Sequence, residues 1–172
     1  MINWQYFPKS NQIPEHLQTC TEIFNKYHEK FDSSTYTYNS DEVLKFLSID
    51  FLKEGYRVEV SKKKVDKINV PVLFGLNGKL EKSFAADAYN PELKTVLEVE
   101  AGRGVANYQF LKDLFQACLM HNVDYLVIAV RKVYTTVSST SKDFEKVLNF
   151  FNALYASGRL TLPLKGILII GY

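Results

Sequence analysis

The sequence predicts an α/β (α+β) fold: one domain over 1–172, with a mixed β-sheet flanked by helices on both faces. Three observations lead there. Amphipathic helical segments are interleaved with short strand-like segments along the chain. The segments 125–130 and 166–170 are continuous apolar runs, the kind buried on both faces of a sheet. Hydrophobic residues make up 47% of 172, enough for a core that needs neither a disulfide nor a structural metal.

Taken in order, residues 1–13 read as an irregular stretch that opens an N-terminal helical arm over 1–40. Pro14 suits a first helical turn. Leu17, Cys20, Ile23, Phe24, Tyr27 and Phe31 then recur at helical spacing, giving a helix over 14–31. Residues 32–39 are a polar loop. A second helix covers 41–54, capped by Asn39 or Ser40, lined by Leu44, Leu47 and Phe51, and ended by Gly55. Residues 56–61 alternate as a strand that reaches solvent at Lys62, Lys63 and Lys64. The segment 65–76 is strand-like, interrupted by Pro71. Asn77-Gly78 is a hairpin signal, followed by a strand over 81–89 and a turn at Asn90-Pro91-Glu92. A strand over 95–100 is closed by Gly102 and Gly104. The helix 107–121 turns Tyr108, Leu111, Leu114, Phe115, Cys118 and Leu119 inward. Residues 135–140 form a polar loop. The helix 141–156 buries Phe144, Val147, Leu148, Phe151, Leu154 and Tyr155.

Composition excludes several classes. No apolar run approaches the roughly 20 residues that a membrane helix needs. Cys20 and Cys118 are far apart on apolar helical faces and read as buried thiols. Three histidines without a CxxC do not make a zinc site. Met1 to Tyr6 lacks a basic segment followed by an apolar one, so a cytoplasmic protein is expected. A net charge of +2 does not by itself announce a nucleic-acid binder.

The chemistry concentrates between Asp87 and Arg103. Glu98 and Glu100 are two apart on a strand and share a face, while Leu97 and Val99 point into a core. If the strands on either side of the Asn90-Pro91 turn pair as a hairpin, Asp87 lies level with Glu98 or Glu100. Three carboxylates then converge, and each close pair repels by about 1 to 4 kcal/mol unless a cation intervenes. Oxygen ligands alone select a hard ion such as Mg²⁺, Mn²⁺ or Ca²⁺. Glu42 lies in the first turn of its helix, where it suits the helix dipole and a capping box with Asn39.

Asp87, ten intervening residues and then Glu98-Val99-Glu100 resembles the bipartite signature of the PD-(D/E)xK nuclease superfamily. Glu100 stands where most members have lysine, and Ala86 where the motif has proline. The Glu-x-Glu variant is similar to type II restriction endonucleases of the BamHI kind, and BglII-type relatives also lack the lysine. Glu42, Val43, Leu44, Leu47 and Gly55-Tyr56-Arg57-Val58-Glu59 resemble the helix and first core strand of that superfamily. The resemblance covers about 41–132 and leaves both ends of the chain unexplained.

The resemblance implies a restriction-endonuclease-like core and Mg²⁺-dependent cleavage of double-stranded DNA, with Mn²⁺ able to substitute. Asp87 and Glu98 would hold the ion, with the Val99 carbonyl as a further ligand. Glu100 would accept a proton from the attacking water or hold it in line, and Glu42 would reach that water or a second ion. Palindromic cutting implies a homodimer, through the helix 14–31 or the helix 141–156. Arg103, Asn107, Lys112 and Lys132 are the candidate DNA contacts, with Gln109 and the loop 135–142 beside them. A repair or recombination nuclease, or a non-catalytic DNA- or protein-binding member of the fold, shares these features. Gly102-Arg103-Gly104-Val105-Ala106-Asn107 also resembles a dinucleotide fingerprint, but two glutamates just before it would repel a pyrophosphate.

Overall fold

The computed structural model describes residues 1–59, 67–102, 105, 107–136 and 139–172. In chain order the elements are β1 (Asn3–Phe7), α1 (Glu15–Phe31), α2 (Ser40–Lys53), β2 (Arg57–Val58), β3 (Ile68–Phe74), β4 (Leu80–Ala86), β5 (Ala88–Asn90), β6 (Thr95–Glu100), α3 (Gln109–Leu119), β7 (Tyr125–Val130), β8 (Tyr134–Thr135), β9 (Thr140–Ser141), α4 (Asp143–Ser157) and β10 (Gly166–Gly171). The fold is mixed α/β, as expected.

Six strands form one sheet in the order β1-β10-β7-β6-β5-β2. β6, β7 and β10 run parallel, while β1, β5 and β2 each pair antiparallel with a neighbour. Strand side chains alternate between faces. Leu97, Val99, Val127, Ala129, Leu168 and Ile170 therefore meet Leu17, Phe24, Leu47 and Phe51 of α1 and α2. Val96, Leu126, Ile128, Ile167 and Ile169 meet Phe110, Leu114, Val147 and Phe151 of α3 and α4 on the other side. The buried central strands are β7 and β10, the two continuous apolar runs.

The structure corrects the N-terminal reading. Residues 1–13 are not all irregular, and 1–40 is not helical alone: β1 pairs with β10 from Asn3↔Gly171 to Phe7↔Ile167, and α1 covers a sheet face. The strand Asn-Trp-Gln-Tyr-Phe is an edge strand, so it lacks the apolar run that marks the central ones.

The meander is also divided. β3 and β4 leave the main sheet as a two-stranded ribbon, with register shifts next to Pro71, which has no N–H to give to the ladder. Its turn lies at Asn77 and Gly78, both with positive φ, where the hairpin signal stands. The expected strand over 81–89 breaks at Asp87, with β4 on one side and β5 on the other. The loop 135–140 begins and ends in the short β8–β9 pair. Lys62, Lys63 and Lys64 lie outside the described residues. Among the described residues no helix is long and apolar enough to cross a membrane.

Leu168 is fully buried between β1 and β7, whereas Leu76 at the ribbon turn is 85% exposed. Leu168→Ala is expected to cost about 2–5 kcal/mol in urea unfolding. Leu76→Ala should stay within about 0.5 kcal/mol of the parent.

Candidate active site: a buried carboxylate cluster

Asp87 sits at the joint where the chain passes from the ribbon into the sheet. Its carbonyl accepts the Glu59 N–H at 2.7 Å, which extends the β2–β5 pairing by one residue. Its Oδ2 accepts the Val99 N–H at 2.8 Å. Ala88 faces Leu97 across the β5–β6 ladder, so Asp87 falls level with Glu98. Glu98 is only 9% exposed. Glu100 follows on the same face, half-buried, and its carbonyl accepts the Tyr172 hydroxyl at 3.2 Å.

A fourth carboxylate joins them from α3. Asp113 is 4% exposed, on the helix face it shares with Phe110, Leu114 and Ala117. It was absent from the sequence-based set. The available signal was its spacing: three after Phe110 and four before Ala117 puts an aspartate on the inward stripe.

Burial raises all four proton affinities, and repulsion between neighbouring carboxylates adds to it at Asp87, Glu98 and Glu100. The Asp87 carboxyl is pushed up to about 6, chiefly by burial and then by the charges of Glu59, Asp113 and Asp41, with the Val99 N–H opposing. Glu98 is raised well above the usual range by burial, and then by Asp87, Asp113 and Glu100. Glu100 is pushed up to about 8 by burial and by Asp113, whose carboxyl is close enough to share a proton with it. Asp113 is raised by burial, with Glu100 and Lys112 opposing. The Asp113 Oδ2 is fully buried and meets no donor among the described residues.

The other candidates separate. Val99 is buried beside the cluster, its N–H held by Asp87. Glu42 is turned back onto its own helix start: its Oε2 accepts the Asn39 N–H at 2.8 Å, and the Asn39 Oδ1 accepts the Glu42 N–H at 3.0 Å. The expected metal role for Glu42 gives way to this capping box, and its neighbour Asp41 is the α2 residue whose charge acts on Asp87. Lys112 is exposed, with Nζ 4.0 Å from the Asp113 Oδ1. Asn107 is exposed just before α3, and Arg103 lies outside the described residues. Lys132 is drawn to the α1 side, where its Nζ lies 3.0 Å from the His28 Nε2, donates to the Met1 carbonyl and approaches Asp32. That network satisfies its charge away from the carboxylates.

Beyond the C-terminal ends of β6 and β7 lies an open groove of about 510 Å³, lined by Thr37, Ser40, Gly102, Arg131, Tyr134 and Thr135. Arg131 is buried, donates through Nη2 to the Tyr38 carbonyl and lies 5.3 Å from the Tyr134 ring centroid. A fixed guanidinium therefore lines this groove.

Among the described residues no three carboxylate, imidazole or thiol groups converge closely enough to ligate one ion. The donors nevertheless suit a hard cation. They are oxygens only, one has no donor, and Mg²⁺ is commonly held by one or two carboxylates with water completing its shell. No family model matches the chain, and no curated protein or solved structure matches it either.

Two measurements test this geometry. In chelator, protonation of Asp87 and Glu100 stabilises the fold fully below their ordinary values of 3.8 and 4.5, and that stability is lost as pH rises through about 6 and about 8. The melting temperature should therefore fall between pH 4.5 and about 8. Burial lowers the proton affinity of His16 and His28, which act in the opposite sense. Glu100→Gln leaves both histidines in place and should flatten the fall. Separately, Asn39→Ala should cost about 1 kcal/mol in chemical denaturation through loss of the cap.

Proposed function

We propose that the protein is a Mg²⁺-dependent endodeoxyribonuclease that hydrolyses phosphodiester bonds in double-stranded DNA, with a core like that of the PD-(D/E)xK restriction endonucleases. One observation carries the reading: Asp87, Glu98, Glu100 and Asp113 are brought together, two of them buried and two half-buried, with an oxygen left without a donor. A fold gains no stability from such a grouping by itself. The sheet order supports it. α2 precedes the antiparallel strands β2, β5 and β6, α3 follows, and β7 lies parallel to β6.

In this reading the carboxylates of Asp87 and Glu98, with the Val99 carbonyl, would hold Mg²⁺ or Mn²⁺. When bound, the ion supplies neutralising charge at the scissile phosphate and acidifies a water. The Val99 N–H keeps the Asp87 carboxylate turned toward β6. Glu100, with its raised proton affinity, accepts the proton of the attacking water. Arg131 and the hydroxyls of Thr37, Ser40 and Thr135 would offer the cut strand a polar groove beyond the end of β6. Arg103, Asn107 and Lys112 remain the phosphate contacts of this proposal.

A homodimer and a cytoplasmic setting belong to the same reading. Large apolar side chains are exposed on the ribbon, at Leu73, Phe74, Leu76 and Leu80, and on α3, at Phe115 and Leu119. No such side chain is exposed on α1 or α4 among the described residues.

The test is incubation of the protein and Glu98→Ala with unmethylated phage DNA, in Mg²⁺ and in EDTA. Discrete fragments are expected for the parent in Mg²⁺, and none in EDTA or with the variant. Smearing or nicking would replace the restriction reading with a repair or recombination nuclease. Intact DNA in both Mg²⁺ and Mn²⁺ would overturn nuclease activity on duplex DNA.

A further inference from the structure

A pocket of about 320 Å³ opens between α3 and α4, lined by Val105, Tyr108, Phe110, Lys146, Asn149 and Phe150. Its walls are aromatic. Phe110 and Phe150 meet edge to face, with centroids 5.5 Å apart and planes at 76°. The Tyr108 ring lies 6.2 Å from Phe110. Val105 and Phe110 are buried, so the floor belongs to the core, while Tyr108 is 64% exposed at the rim. Tyr108 is the N-cap of α3 at φ 54°, a backbone region that bulky side chains seldom occupy.

The polar groups come from α4. Lys146, Asn149 and Phe150 are spaced three and four apart and share a helix face. The Lys146 Nζ donates to the Ser141 Oγ at 2.7 Å, and its side chain stays exposed. Glu145 beside it is held by Lys142 at 3.0 Å, and no carboxylate lines the pocket among the described residues. The exposed Asn149 amide has no hydrogen-bond partner among the described residues, so its N–H donors and its carbonyl are all available.

An aromatic slot with an amide at its edge and an ammonium at its mouth has the chemistry to receive a nucleobase. Every base offers a π-face to an aromatic ring. Base edges set a donor beside an acceptor, a pattern that a side-chain amide can match with two hydrogen bonds. The ammonium suits the attached phosphate. The volume is at the small end of the roughly 300–1,000 Å³ of small-ligand pockets, the scale of one nucleoside. Its place in the fold agrees. Tyr108 follows Asn107, a phosphate contact of the nuclease reading, and precedes Asp113 by five residues, roughly 8 Å of helix rise.

We infer that this pocket holds one nucleobase swung out of the DNA stack, with Tyr108 and Phe150 against its face, the Asn149 amide on its edge and Lys146 on a flanking phosphate. The inference rests on the nuclease reading for the presence of DNA and adds an unstacked nucleotide to the way the protein grips it. A base that is already unpaired costs least to take out of the stack.

Fluorescence anisotropy in EDTA, where the DNA is not cut, tests it with two labelled duplexes. One carries a single bulged adenine and the other an abasic residue at the same place. The parent is expected to bind the adenine bulge about five- to hundredfold more tightly, the range of one stacked base. Tyr108→Ala and Asn149→Ala should each lose most of that preference and keep the affinity for the abasic duplex, while Tyr108→Phe should retain the preference. Melting temperatures confirm that the variants are folded, and Asn149→Ala, a change at an exposed helix position, decides alone if Tyr108→Ala is not. Equal affinity of the parent for the two duplexes, or a preference that survives both alanine variants, overturns the pocket and leaves the nuclease reading to the cleavage assay. No binding to either duplex, together with no cleavage of phage DNA, overturns both.

Discussion

The Val99 N–H bonded to the Asp87 carboxylate is the contact around which the site is arranged. At Asp87 the chain leaves the ribbon and enters the sheet, and a residue there must satisfy two demands. Its backbone carries the β2–β5 ladder one residue further through Glu59, while its side chain reaches across to β6. A charged acceptor for a backbone N–H makes a short, directional bond. That bond sets the carboxylate level with Glu98 and holds it there at the cost of burying it. Everything else in the cluster follows from strand alternation and from the seat of α3.

The cluster lies on a face that is otherwise apolar. Val96 precedes Glu98 on that face, and Ile128 lies beside it on β7 in the same core. The fold thus surrounds its carboxylates with groups that cannot solvate them. This is why burial is the largest contributor to each raised proton affinity and the neighbouring charges come second. On the opposite face the same strands pack against α1 and α2 through a largely apolar cluster. The aliphatic and aromatic packing lies on that side, and the carboxylates lie on the other.

Much of this was legible in the residues. β7 matches its apolar run residue for residue, because a strand buried on both faces declares itself by composition alone. The capping box of Asn39 and Glu42 follows from spacing, and so does the shared face of Glu98 and Glu100. β1 was not legible, because its pairing with β10 is a long-range event and Gln5 and Trp4 give it no buried-strand pattern. The break at Asp87 was hidden for a related reason: a run of strand-forming residues does not say which of two sheets each half will join. Asp113 was hidden by its company. A single acid within the inward stripe of a helix is easily assigned to the solvent face unless the spacing to Phe110 and Ala117 is counted.

The sheet order also imposes an order of assembly. β5 and β6 are joined by a short turn, and β7 reaches β6 through α3. β10 must then cross by way of α4 to lie beside β7, and only afterwards does β1, which precedes them all in sequence, have an edge to join. Such distant pairing slows folding. While it is pending, Ile167, Leu168, Ile169 and Ile170 form an uncovered strand with high affinity for any other open edge. The chain that carries the acidic cluster so securely when complete is therefore most prone to self-association just before its first strand docks.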